Sequence, residues 1–162
     1  MVYIMKFKVD GACRGNGRRG SIAAAAACLY NRSGSYSSKT NYLPQNNPVP
    51  TNQRAEISAI VLALEWALER YSELSNEPYI KVRISSDSQH AIDSMTTWIY
   101  KWVNNGWYTA AGLPVANKDL FQLALDLDDK ISAIGEVTYT WIPREKNQDA
   151  DDECNEALDN IQ

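Results

Sequence analysis

The sequence predicts a mixed α/β layer fold, and three observations carry that expectation. Strand-like segments crowd the first third, with a hairpin signal between the second and third of them. Beyond residue 50, helical and strand-like patterns alternate, as they do when crossover helices cover a sheet. No internal repeat, low-complexity segment or linker interrupts the 162 residues. That length suits one domain with a substantial core.

The elements follow in order. In "VYIMKFKV" at 2–9, Tyr3, Met5, Phe7 and Val9 share one strand face, and Lys6, Lys8 and then Asp10 share the other. Residues 20–30 and 35–43 are predicted as the second and third strands, with the turn "NRSG" at 31–34 between them. "PQNNPVP" at 44–50 is a loop, after which Thr51 or Asn52 can cap a long helix over 53–73. "YIKVRISS" at 79–86 is a fourth strand running into Asp87. Helical spacing over 88–105, a loop at 106–116 and a helix over 117–131 precede a fifth strand at 136–142. An acidic helix over 147–159 closes the order.

Composition narrows the chemistry. Three cysteines without CxxC spacing argue against a disulfide framework or a zinc site, and reduced thiols in an intracellular setting are expected. Nucleus, cytoplasm and mitochondrion are not distinguished. No apolar run reaches the roughly 18 residues of a membrane span, and the N-terminus lacks the blocks of a signal peptide. His90 is the one histidine, which excludes sites needing several imidazoles. Any metal must then take oxygen ligands, favouring Mg²⁺, Mn²⁺ or Ca²⁺. The net charge of −4 hides an asymmetry. Residues 1–118 carry 13 Lys/Arg against 8 Asp/Glu, whereas 119–162 carry 3 against 12. The front of the chain can therefore still meet a phosphate backbone.

Four acidic positions stand out. Asp10 and Asp87 each follow a predicted strand, where ligands gather in open α/β sheets, although strand-end aspartates also cap turns. On a wheel of about 100° per residue, Glu56 borders the inward arc of Ile57, Ile60, Val61 and Leu64. Glu65 and Glu69 fall on the water side. A carboxylate at a buried edge is costly unless it is paired or metal-bound, or serves the helix's first turn. In "NQDADDECNEALD", spacing alone leaves Asp149, Asp151, Asp152 and Glu153 equivalent. Converging carboxylates without histidine suit a two-metal phosphodiester site, with ions about 3.5–4 Å apart.

"DGACRGNG" at 10–17, "TNQRAEISAIVLALE" at 51–65, "SSDSQ" at 85–89 and "NQDADDECNEAL" at 147–158 occur in the order of type 1 ribonuclease H, and the chain resembles that family over nearly its whole length. "WIYKWVNNGWYTAAGLPVANKDL" at 98–120 resembles the family's tryptophan-bearing handle and following loop. The resemblance implies an RNase H-like three-layer fold, a five-stranded mixed sheet flanked by helices, as a single catalytic domain over 1–162 with no separate hybrid-binding domain before Met1. It implies a monomeric endonuclease that hydrolyses the RNA strand of RNA–DNA hybrids and leaves 5′-phosphate and 3′-hydroxyl ends. The implied catalytic and metal-binding carboxylates are Asp10, Glu56, Asp87 and Asp151, holding two Mg²⁺ or Mn²⁺ ions. Asp151 is singled out because the family's N-x-x-A-D pattern falls on Asn147 to Asp151. Asp10 would bridge both ions, Asp151 would help hold the ion that activates water, and Glu56 and Asp87 the ion at the leaving oxygen. Cys13, Asn16, Asn52 and Gln53 match positions that touch the hybrid, and Thr51 and Asn117 match a DNA-phosphate pocket. Trp107 is a candidate for a DNA sugar, and Arg14 with Arg18 and Arg19 for nonspecific phosphate attraction.

The chain also departs from the family. The loop "WIPREKN" is about four residues shorter than the family's and lacks its histidine, leaving Arg144, Glu145 or Lys146 as substitutes. Within 98–118 only Lys101 and Lys118 are charged, and the family's arginine before Thr51 is replaced. Weaker hybrid binding than the family norm follows, since each lost phosphate contact lowers affinity. The alternative left by these departures is a hybrid-binding module with weak or no turnover. His90 is read as structural.

Overall fold

The computed structural model describes residues 1–161 and places β1 (Val2–Arg14) at the centre of one sheet. β2 (Ile22–Tyr30) pairs antiparallel with β1, and β3 (Tyr36–Tyr42) pairs antiparallel with β2. On the other side β4 (Tyr79–Ser86) and β5 (Gly135–Trp141) add in parallel, giving the order β3-β2-β1-β4-β5. Parallel neighbours need crossovers. α1 (Asn52–Ser72) precedes β4; α2 (Gln89–Asp93), α3 (Ile99–Asn105) and α4 (Lys118–Ser132) lie between β4 and β5; α5 (Gln148–Asp159) follows β5. This is the five-stranded mixed sheet flanked by helices that the sequence predicts.

The first strand is longer than its apolar period suggests. β4 pairs with β1 only as far as Val9 opposite Ser86, whereas β2 follows it to Arg14 opposite Ile22. Asp10 does not end the strand. It stands where the parallel ladder stops and the antiparallel one runs on. The period-two signal fails there because the next residues are small: Gly11 lies under α1, and Ala12 packs with the cluster beneath α5. The turn comes later, where Gly15, Gly17 and Gly20 take φ of 81°, 75° and 84°.

The helix expected over 88–105 is interrupted. Residues Ser94–Trp98 form a π-helical turn between α2 and α3. Ser94 and Thr96 hydroxyls donate back to the carbonyls of His90 (2.7 Å) and Ile92 (2.8 Å), a competition that loosens the helical ladder. Thr51, not Asn52, caps α1, accepting the Arg54 N–H at 3.1 Å.

α1 is buried along most of its length because it lies between the sheet and α4, while Glu65 and Glu69 face water as the wheel predicts. Phe7, Val9, Ile57, Ile60, Leu64, Ile84 and Phe121 belong to this main core. In β2 the run Ala23–Ala27 is buried on both faces. Ala25 and Ala27 belong to the α1 side, and Ala24 and Ala26 pack with Cys154, Ala157 and Leu158 of α5. Methyl-sized side chains let both helices approach the sheet closely.

Candidate active site

Asp10 in β1, Glu56 in the second turn of α1 and Asp87 just past β4 converge at the carboxyl end of the parallel ladder. One carboxylate oxygen from each lies within 4.8 Å of the others. Gly11 makes the approach possible. A Cβ there would fall 2.2 Å from the Ala55 carbonyl carbon and 2.4 Å from the Glu56 nitrogen, so the start of α1 rests directly on the β1 backbone. Gly11 N–H then donates to Glu56 Oε1 at 2.9 Å. The second oxygen, Glu56 Oε2, is buried without a partner. Gly11→Ala is expected to lower stability by about 3 kcal/mol, or Tm by roughly 10 °C. A thermal melt within about 2 °C of the parent would refute this tight helix–strand contact.

α5 brings the fourth carboxylate. Asn147 is 0% exposed, and its Nδ2 donates to the Val9 carbonyl at 2.9 Å, anchoring the start of α5 one residue before Asp10. Lys8 Nζ donates to the Lys146 carbonyl at 2.8 Å beside it. The ambiguity among the α5 acids resolves by contact. Asp149 accepts from Tyr30 (2.6 Å), Glu153 accepts from Tyr36 (3.0 Å) and Ser38 (2.9 Å), and Asp152 is exposed. Asp151 is the one that reaches Asp10, near enough for its carboxylate to help raise the Asp10 pKa. It lies outside the three-carboxylate group and accepts from Asn155 Nδ2 at 3.3 Å.

The electrostatics match that crowding. Burial, then the charges of Glu56 and Asp87, hold Asp10 far above the usual carboxylate range. Burial also raises Glu56, against the hydrogen bonds from Asp10 and Gly11 and the positive charge of Arg144. Such a group is costly in water-poor surroundings unless a cation neutralises it. Hard oxygen donors and an orphaned Glu56 oxygen fit a divalent ion such as Mg²⁺ or Mn²⁺.

The residues matched to hybrid contacts form a connected rim. Cys13 N–H donates to Asn52 Oδ1 (3.0 Å), Asn52 N–H donates to Asn16 Oδ1 (2.8 Å), and the Cys13 thiol reaches the Pro50 carbonyl (3.4 Å). Gln53 is exposed beside them. Thr51 and Asn117 are joined through Arg54, which donates to Asn117 Oδ1 at 3.1 Å and forks onto Asp119 at 3.0 and 2.8 Å. Arg14 is not a free cation, because Asp159 holds it at 2.7 Å. Trp107 takes φ of 70° and lies half-buried, its ring 6.1 Å from Trp102. Trp102 packs on Phe121 at 5.2 Å, and His90 sits between Trp98 and Phe121 as a structural ring. Sequence reasoning overlooks Arg54, whose only signal is a basic residue in an N-terminal helical turn that the macrodipole disfavours.

Comparison with known proteins supplies the family. A profile of RNase H matches residues 4–160. The chain belongs to the ribonuclease H family. A ribonuclease H of Actinobacillus pleuropneumoniae is 32% identical over 153 residues, covering 94% of this chain and 86% of the relative. That of Ehrlichia canis is 33% identical over 133 residues, covering 82% and 77%. Among solved structures, RNase H1 from Halobacterium salinarum superposes with a TM-score of 0.68 at 23% identity, covering 98% and 99%. LC11-RNase H1, solved in complex with an RNA/DNA hybrid, gives 0.69 at 23% identity, covering 97% and 98%. This RNase H is thus an enzyme, a ribonuclease. Among its described residues no helix is long and apolar enough to cross a membrane.

Proposed function

We propose that this ribonuclease cleaves the RNA strand of RNA–DNA hybrids, using divalent ions held by Asp10, Glu56, Asp87 and Asp151. The observation that carries this reading is the convergence of three carboxylates within 4.8 Å, one oxygen of which is buried and unpartnered. The hybrid-bound LC11-RNase H1 relative supports the substrate class. Bound divalent ions, two in this reading, supply charge neutralisation at the scissile phosphate and lower the pKa of the attacking water.

The chain's own residues do the rest. Gly11 and Asn147 fix the backbones that carry Glu56 and Asp151 against Asp10, so the carboxylates are set before substrate arrives. Cys13, Asn16, Asn52 and Gln53 present backbone and amide groups to a shallow minor groove, where 2′-hydroxyls mark the RNA strand. Thr51 and Asn117, bridged by Arg54, receive a DNA-strand phosphate. Arg144, in the 3₁₀ turn Arg144–Lys146 that replaces the family's histidine loop, supplies positive charge toward Glu56. Water oxygen joins phosphorus and the P–O3′ bond breaks, leaving a 5′-phosphate on one fragment and a 3′-hydroxyl on the other.

An end-labelled hybrid incubated with Mg²⁺ or Mn²⁺, with single- and double-stranded RNA as controls, tests this. Cleavage confined to the RNA of the hybrid, with 3′-hydroxyl ends that a polymerase extends, is expected. Equal cleavage of double-stranded RNA would replace the substrate assignment, and hybrid binding without cleavage in either metal would leave only a binding module.

A further inference from the structure

α5 covers the end of the sheet near Asp10, packing on β2 and the last residues of β1. The remainder of that sheet face is open. On it lie Lys6 and Lys8 of β1 with Lys81 and Arg83 of β4. Lys6 stands opposite Arg83 in the parallel register, and Ile4 opposite Lys81. Residues two apart on one strand share a face about 6.6 Å apart, and adjacent strands lie about 4.8 Å apart, so these cations form one compact patch. Lys6 and Arg83 are exposed, and among the described residues Lys6, Lys81 and Arg83 have no ion-pair partner. Lys8 is held over the Tyr30 ring, 5.4 Å from its centroid, two residues before Asp10. Three carboxylates share the face: Glu136 stands opposite Lys81 and accepts the Tyr79 hydroxyl at 3.3 Å, while Asp149 and Glu153 lie at its α5 border, on the hydroxyls of Tyr30 (2.6 Å) and Tyr36 (3.0 Å).

We infer that this open face binds a single-stranded polynucleotide tail leaving the hybrid at the active site. On the β1–β4 side, away from the acids of α5, Lys6, Lys81 and Arg83 stand against Glu136 alone, and in a chain of net charge −4 they concentrate positive potential where a phosphate backbone would gain most. The patch begins beside the catalytic carboxylates: Asp10, Lys8 and Lys6 follow one another on one face of β1. A strand emerging from the cleavage site therefore meets Lys8 first, then the Lys6–Arg83 pair, then Lys81. Ile4, beside Lys81, and Tyr79, 47% exposed and just beyond it, offer apolar surface along the cations. Basic tracks with interleaved apolar or aromatic platforms hold single strands without reading sequence. An acidic protein would use the cations but has no need of the platforms or of continuity with the cleavage site. A duplex is too stiff to bend from the active site onto a flat face so close by.

The inference rests on the hybrid reading, and the test separates the two. Affinities are measured by fluorescence anisotropy in an Asp10→Asn background with Mg²⁺, which prevents cleavage. Substrates are a blunt hybrid, hybrids carrying a 12-nucleotide single-stranded tail on each end in turn, and a free 20-nucleotide RNA. At least one tail is expected to tighten binding by about fivefold. Lys6→Ser/Arg83→Ser removes that gain, leaves the blunt hybrid unchanged, and lowers the salt slope for the tailed hybrid by about 1.4, from two lost single-strand contacts. Glu136→Lys enlarges the gain. Equal binding of tailed and blunt hybrids overturns the inference. So does equal weakening of both by the double substitution, or displacement of the tail by polyglutamate as readily as by single-stranded RNA. If the blunt hybrid does not bind, the hybrid reading has failed. The free RNA then decides the face: binding that the double substitution abolishes supports it, and no binding overturns it.

Discussion

Asp10→Asn protein is expected to fold and to lose at least about 10³-fold in kcat on the hybrid, equivalent to roughly 4 kcal/mol of transition-state stabilisation. Asp10 is the residue on which the other carboxylates converge: Glu56 and Asp151 both come within hydrogen-bonding influence of it, and Asp87 adds its charge. Replacing one oxygen by an amide preserves shape while removing a charge and an acceptor from the centre of the group. The substitution should therefore act on kcat far more than on hybrid affinity, because the rim of Cys13, Asn16, Asn52 and Gln53 is untouched. Single-turnover cleavage with excess enzyme, alongside binding to an uncleavable hybrid, reads the two separately. Residual activity above about a tenth of the parent would show that catalysis does not centre on this carboxylate.

The same substitution is expected to stabilise the metal-free protein at pH 8, by about 2 kcal/mol or a Tm gain of roughly 4–8 °C. Asp10 and Glu56 both have folded-state pKa values raised above the ordinary carboxylate range. Between the unfolded and folded values the native state binds more protons than the unfolded chain, so its stability falls as pH rises. The contribution of these two groups is thus fully present near pH 4 and is lost progressively as pH rises, through about 7 for Glu56 and on toward about 10 for Asp10. Asp10→Asn removes the group whose proton uptake on folding causes most of that loss. The parent-minus-variant difference in Tm should shrink from pH 8 to pH 5 in EDTA, and Mg²⁺ should raise the parent's Tm more at pH 8 than at pH 5. A difference independent of pH would show that the carboxylates are not crowded as described.

Much of this site is legible in the amino-acid sequence, for reasons that differ by residue. Glu56 is visible because a carboxylate on the apolar edge of a helix breaks the periodicity around it. Asp87 is visible because it follows a clean strand. Asp151 is not separable from Asp149, Asp152 and Glu153 by spacing, since all four share the start of one helix; the tyrosines of β2 and β3 that engage two of its neighbours distinguish them. The N-x-x-A-D pattern points to Asp151 by position alone, and the Asn147 anchor supplies a physical reason for that position. The end of β1 is misplaced by periodicity because Gly11 and Ala12 carry no strand signal, being small to admit helices on both sides. The cation patch is hidden for another reason. Lys6 and Arg83 lie on strands far apart in sequence, and their adjacency is a property of register.

The alanine run of β2 has a consequence for how this enzyme can vary. Ala25 and Ala27 set the height of α1 above the sheet, and Ala24 and Ala26 that of α5. These helices carry Glu56 and Asp151, so the alanines act as two independent spacers on opposite sides of one strand. A methyl-to-isopropyl change at an odd position displaces one carboxylate, and at an even position the other. Drift in this unremarkable stretch would detune the proposed carboxylate site one side at a time.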